Sequence, residues 1–175
     1  MNRRDISSLS GIVALGFSLL PGYAVAQQTI KEQLIGAWTL VSWELVRGDG
    51  SKVAPLVGTD PKGLMIFLSD GRFSQQIISE RPKFASNDRL AGTPEENKAV
   101  AQGILSVFGG YSIDEANKTF TFHNEISSYP NQNRTNGKRT PTFVGDELRY
   151  TNPGAPAAGP GGNGYFVWKR VPSLN

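Results

Sequence analysis

The single histidine of the chain, His123, stands two residues before Glu125 and four before Ser127. On an extended strand that spacing turns all three side chains to one side, and an imidazole beside a carboxylate transfers protons near neutral pH. Facing a cavity, His123 and Glu125 would be the acid and base of an isomerase or cyclase. Facing outward, they belong to a solvated surface while Phe120, Phe122 and Ile126 fill the core with Asn124 beside them, and the apolar pattern by itself prefers that orientation. One histidine is enough for a proximal haem ligand, yet no other residue supports a haem. Side chains of metal-binding type are not clustered and the chain has no cysteine, so neither a metal site nor a cofactor is expected.

A second concentration of chemistry lies upstream. Arg81, Lys83, Asp88 and Arg89 crowd an aperiodic stretch beside Pro82 and Phe84. A loop of this kind can gate a cavity and hold an anionic group through the planar fork of arginine; the same charges can instead pin the loop to a barrel rim. Tyr129, Asn131 and Arg139 are further candidates for lining an opening. The expected ligand-binding set is therefore Arg81, Phe84, Arg89, Tyr129, Asn131 and Arg139. Two other chemistries are excluded: there is no Gly-x-Ser-x-Gly to carry an activated serine, and Gly159-Pro160-Gly161-Gly162 has neither the lysine nor the following helix of a phosphate loop.

The elements that must position these residues are mostly strands. The 175 residues include 20 glycines, 11 prolines, nine phenylalanines and three tryptophans, a composition suited to short strands and tight turns. A first strand runs from Gly36 to about Arg47, with Trp38, Leu40 and Val46 on one face and Val41, Trp43 and Leu45 on the other. Leu64 to Leu68 and Phe73 to Ser79 form a hairpin about Asp70-Gly71. After the charged loop, Thr93-Pro94-Glu95-Glu96 supplies an N-cap, a first-turn proline and a capping-box glutamate. Val100, Ile104 and Val107 extend an apolar stripe, so the spacing predicts a helix to about Val107, stopped by Gly109-Gly110. Further strands are predicted at Tyr111 to Ile113, Lys118 to Ser127, Gly137 to Val144, Glu147 to Asn152 and Tyr165 to Val171. Pro153 to Gly164 reads as a flexible loop without regular structure. The prediction is an all-β, eight-stranded antiparallel up-and-down barrel, with strands beginning near 37, 63, 72, 110, 118, 137, 147 and 164. Its last strand pairs with its first, and one inserted α-helix lies near the mouth.

The first 26 residues address the chain before it folds. Met1 to Arg4 is basic, Gly11 to Leu20 is apolar, and Ala24-Val25-Ala26 forms a small-residue cleavage site. Arg3-Arg4 ahead of Ile6 gives the form of a twin-arginine signal, with a general secretory signal as the alternative. Ser10, Ser18 and Pro21 interrupt the apolar run, so no stable membrane span is expected once the signal is removed. A periplasmic or secreted protein is expected, with residues 27–175 forming one domain. The 18 basic and 15 acidic side chains give a net charge of +3, and Arg3, Arg4 and Asp5 leave with the signal. The one basic cluster, Arg134, Lys138 and Arg139, is too small for a nucleic-acid footprint. The absence of cysteine excludes disulfides and a lipoprotein anchor.

Gly36-Ala37-Trp38 resembles the Gly-x-Trp signature of the first lipocalin strand. Leu34 to Ser42, Ser69 to Ser74, Arg81 to Asp88, Gly92 to Asn97, Gly110 to Asp114, His123 to Asn131, Gly145 to Leu148 and Trp168 to Arg170 follow in order. With these pieces, the chain from Leu34 to Val171 resembles the bacterial lipocalin-like domain family. The resemblance implies a calycin-type barrel that binds a small hydrophobic or amphipathic molecule in its cavity, and no single activity. It also implies that a basic side chain near the end of the chain, Arg170 or Lys169, packs over Trp38. Gly36, Trp38 and Arg170 then serve barrel closure. A binding protein is the expected class, and the isomerase or cyclase built on His123 and Glu125 is the alternative.

Overall fold

A computed structural model describes residues 28–54, 57–58 and 60–172; the expected export signal over residues 1–26 lies outside them. The described residues form ten strands: β1 (Gly36–Val46), β2 (Lys52–Val53), β3 (Lys62–Phe67), β4 (Arg72–Ile78), β5 (Ile104–Asp114), β6 (Thr119–Ser127), β7 (Asn136–Arg139), β8 (Thr142–Val144), β9 (Glu147–Pro153) and β10 (Asn163–Arg170). They pair in the order β7-β6-β5-β4-β3-β1-β10-β9-β8, with β2 added on β1, and every pair is antiparallel. The two ends of this order, β7 and β8, are consecutive in the chain. The sheet therefore rolls into a barrel whose ladder is open at one slit, between β7 and β9.

The count of ten corrects the expected eight without changing the circuit: β2 is a two-residue addition paired with β1, and one predicted strand is divided in two. Thr140-Pro141 splits the strand predicted from Gly137 to Val144, because proline has no N–H to give the ladder. The piece before it pairs with β6 and the piece after it with β9.

Two bulges decide which side chains lie inside. Leu40 faces Trp168 while Ser42 faces Val167, so Val41 is left over and lies 54% exposed. Beyond it the inward parity changes: Leu45 is buried with Ala155 and Ala158, and Trp43 packs between that cluster and the main core that contains Trp38. The uniform alternation expected for β1 is thereby broken. In β6, Asn124 faces Gly109 and Ile126 faces Phe108, which leaves Glu125 over. Phe120 and Phe122 are buried, but Ile126 is 51% exposed and Ser127 is buried in its place. Gly109 makes the second bulge possible, since a Cβ there would meet the His123 carbonyl oxygen at 2.1 Å.

The helix is shorter than predicted. α2 (Pro94–Gln102) opens with the Thr93–Glu96 capping box and ends at Gly103, where a Cβ would meet the Arg81 guanidinium at 2.7 Å. Ile104 to Gly110 instead pair with Ile78 to Arg72 of β4, so Gly109-Gly110 lies inside a strand. An apolar i, i+4, i+7 stripe fits both elements locally, and the neighbouring strand decides. The segment after β9 is also more ordered than predicted. Pro156–Ala158 form a 3₁₀ turn, and Ala155 and Ala158 are buried against Leu45, because small side chains let this loop lie close on the end of the barrel.

The opposite end is sealed. α1 (Ile30–Leu34) is held by a Thr29–Glu32 capping box and by Glu115, whose carboxylate accepts from Ile30 N and Lys31 N at 3.1 Å each. Ile30 and Leu34 reach the core of Trp38, Met65, Phe67, Phe120, Leu148 and Trp168. Trp38 Nε1 donates to Leu34 O at 2.9 Å. Arg170 stands opposite Trp38 in the β1–β10 ladder, with its guanidinium carbon 4.2 Å from the indole centroid. The same guanidinium donates to Ile35 O at 2.9 Å and to Gln33 O. Gly36 has φ of 125°, a region that favours glycine, and a Cβ there would lie 3.1 Å from the Arg170 guanidinium. Lys169 turns away to Asp146, 3.4 Å distant.

Arg170→Met is expected to lower the unfolding free energy by about 2 to 4 kcal/mol, through the lost cation–π contact and two carbonyls left without their donor. Lys169→Met, which removes only an exposed ion pair, is expected to cost about 0.5 kcal/mol or less. Urea titrations followed by tryptophan fluorescence compare the two; equal losses would refute the closure role.

Candidate functional site

With one end filled, the remaining space lies at the other. Along β4 the inward residues are Phe73, Gln75 and Ile77, along β6 Phe120, Phe122 and Asn124, and along β9 Leu148, Tyr150 and Asn152. Each row begins apolar at the sealed end and meets a polar side chain further on. Gln75, Asn124, Arg139, Tyr150 and Asn152, with Gln132 from the turn before β7, surround an inner chamber of about 60 Å³ floored by Phe73, Phe122 and Phe166.

The polar groups of this chamber are only partly paired. The Tyr150 hydroxyl donates to Gln75 Oε1 at 3.3 Å and accepts from Trp168 Nε1 at 3.2 Å. Complete burial holds its phenol far above the ordinary value of 10. Arg139 stacks 5.8 Å above the Phe122 ring and donates from Nη1 to Lys138 O at 2.8 Å, while its Nε is buried with no hydrogen-bond partner. Burial lowers the Arg139 pKa, yet a guanidinium stays charged at any ordinary pH. None of the described salt bridges includes it.

Above the inner chamber lies a larger cavity of about 350 Å³. The end of α2 contributes Ala101, β5 contributes Ile104 and Leu105, β1 contributes Trp43, and the ordered loop contributes Ala155 to Ala157. Trp43 stacks on Phe166 at 5.2 Å between centroids. Leu105, Gln132, Asn152 and Phe166 line both spaces, so the apolar mouth adjoins the polar inner chamber through these four side chains. A third cavity of about 230 Å³ lies along the slit, between Thr140, Thr142, Arg149 and Tyr165, and touches Tyr150 and Phe166 from the other side.

Of the residues singled out from the sequence, Arg139 lines the inner chamber and Tyr129 the mouth. Asn131 donates to the Tyr129 hydroxyl at 3.1 Å without lining either space. Arg81 donates from Nε to Ala99 O at 3.2 Å, so it caps the end of α2 and ties the charged loop to it. Phe84 packs on Gly92, where a Cβ would come within 2.7 Å of its ring, and Arg89 is exposed. The loop is further held by Glu96, which accepts from Thr93 N and Ala85 N at 2.8 Å each; those bonds keep its carboxyl below the usual range.

His123 and Glu125, the expected acid–base pair, are both exposed, and neither lines any of the three cavities. Parity places His123 on the outer face, and the bulge removes Glu125 from its alternation. The imidazole lies in a row with Ser112 Oγ at 2.8 Å from Nε2 and Asn136 Oδ1 at 2.9 Å from Nδ1. That order of hydroxyl, imidazole and amide resembles a nucleophile, its base and an orienting group, but none of the three side chains lines any of the three cavities. Among the described residues no three His, Cys, Asp or Glu side chains come together as metal ligands.

The residues missed in the sequence are Gln75, Asn124, Gln132 and Asn152. Three of them carry a readable signal: a polar side chain breaking an apolar row, as Gln75 does between Phe73 and Ile77.

An antiparallel sheet rolled on itself, filled at one end and hollow at the other, is the architecture of barrels that hold a small ligand. This chain belongs to the lipocalin-like domain family, whose model matches residues 35–171. Among solved structures it is similar to a lipocalin-like protein from Bacteroides uniformis, with 14% identity, 79% of this chain and 99% of the other covered, and a TM-score of 0.42. It is also similar to a redesigned beta barrel, with 13% identity, 81% and 95% covered, and a TM-score of 0.40. No curated protein matches the chain.

The raised pKa of Tyr150 has a defined effect on stability. Below pH 10 the folded and unfolded phenols are both neutral; above it only the unfolded one ionises, so stability falls by about 1.4 kcal/mol per pH unit. Tyr150→Phe removes that dependence at the cost of about 1 to 2 kcal/mol in lost hydrogen bonds at neutral pH. Urea unfolding at pH 8 and pH 11 should find the gap between the two proteins narrowed by about 1 kcal/mol or more at the higher pH. A constant gap would show that Tyr150 is not sequestered.

Proposed function

We propose that this is an exported lipocalin-like protein that binds a small apolar or amphipathic molecule at the open end of its barrel. The observation that carries the reading is the apolar mouth of about 350 Å³ set directly against a polar inner chamber of about 60 Å³, with four lining residues in common. The mouth lies at the lower end of the range of roughly 300 to 1,000 Å³ usual for small-molecule sites. A ligand with an apolar body and one polar end matches that gradient. An isomerase or cyclase built on His123 and Glu125 would need both side chains inside, and both lie on the outer wall. Export is supported by the basic start, apolar run and Ala24-Val25-Ala26 at the N-terminus. Among the described residues no helix is long and apolar enough to cross a membrane.

The neutral apolar fluorophore N-phenyl-1-naphthylamine is expected to bind with a Kd in the micromolar range and to quench Trp43. Leu105→Arg, which places a charge at the junction of the two spaces, should weaken it by about tenfold or more while the urea midpoint moves little. A folded wild-type protein that leaves the probe unbound would end the binding reading. Expression in a bacterial host with intact export should yield a processed chain beginning at Gln27. Recovery of the full-length chain from the cytoplasm alone would refute the export assignment.

A further inference from the structure

Resting on the binding reading above, we infer that the ligand is an amphipathic carboxylate, with its head in the inner chamber against Arg139 and its apolar body in the mouth. The chamber sets the amides of Gln75, Gln132, Asn124 and Asn152 around one cation, although Asn124 gives its own NH₂ to Thr135 Oγ1 at 3.1 Å. Arg139 is held in place by the Phe122 ring 5.8 Å from its guanidinium carbon and by Gly137, where a Cβ would come within 3.0 Å of Nη2. Its Nε is buried without a partner, and no Asp or Glu lines the chamber. The carbonyl oxygen of Gln75 accepts from Tyr150 at 3.3 Å and that of Gln132 from Ser127 at 3.4 Å. Both amides thus keep their NH₂ groups for an acceptor.

A buried donor such as the Arg139 Nε is costly without a partner, and the half-buried guanidinium that carries it adds a cation without a counter-charge. A ligand that brings one negative charge and two acceptor oxygens relieves both. A carboxylate does this with a geometry that matches the guanidinium fork. A phosphate monoester carries about −1.5 to −2 at neutral pH, more than the single arginine balances. The space of about 60 Å³ suits a head group of a few atoms.

Isothermal titration of the processed protein with decanoate, decanol and decyl phosphate, each below its micellar concentration, separates the alternatives. Decanoate is expected to bind at least tenfold more tightly than decanol, and decyl phosphate no more tightly than decanoate. Arg139→Gln should abolish the preference for decanoate while leaving the decanol affinity within about twofold. The wild-type comparison stands even if the variant does not fold, and Arg139→Lys supplies a second variant that keeps the charge without the fork. Binding of decanol and decanoate with equal affinity would overturn the carboxylate assignment and leave the binding reading intact. A preference that survives in a folded Arg139→Gln protein, or tighter binding of decyl phosphate, would overturn it too. Binding of none of the three would remove both readings together.

Discussion

The pairing of β1 with β10 is the constraint on which everything else rests. These strands lie at the two ends of the chain, so their pairing closes the longest loop in the molecule and gains no help from a turn. The residues at that seam compensate with specificity. Trp38 is anchored through its indole N–H to Leu34, and Arg170 grips both the indole face and the carbonyls at the end of α1. One helix turn, one tryptophan and one arginine thus fix the first strand, the last strand and the plug at the same point. Because that end is packed solid, the interior can thin out toward the other without costing the fold its register.

How far this was legible depends on whether the deciding information was local. The β3–β4 hairpin follows from Asp70-Gly71, and the start of α2 from the Thr93–Glu96 capping box, because each is settled within a few residues. The end of α2 was not legible: Val100, Ile104 and Val107 satisfy a helical stripe, and only the distant partner β4 turns Ile104 into a strand residue. The bulges at Val41 and Glu125 were hidden for the same reason. A leftover residue exists only relative to a second strand, and Gly109, which admits one of them, reads in isolation as a helix stop.

The site shows the same division. Arg139 and Tyr129 could be picked out as polar or amphipathic residues near predicted turns, and the structure brings both to the hollow end. His123 drew attention through its chemistry, but strand parity turns it outward, where it bridges Ser112 and Asn136. The polar side chains that do face inward were visible as exceptions within apolar rows. Burying Gln75 and half-burying Asn124, Asn152 and Arg139 beside Phe73, Phe122 and Phe166 sacrifices stability that an all-apolar interior would retain.

The interruption at Thr140-Pro141 has a mechanical side. With β7 bonded only to β6 and β8 only to β9, the wall can hinge apart there without breaking a single ladder hydrogen bond. The slit runs past Tyr150 and Phe166, the same side chains that line the inner chamber. Sub-global opening of the barrel should begin at this flank, and amide protons bordering it should exchange with solvent sooner than those of β1 and β10. Under the binding role proposed above, a barrel that yields sideways while its sealed end holds fast would admit a ligand broader than its rim.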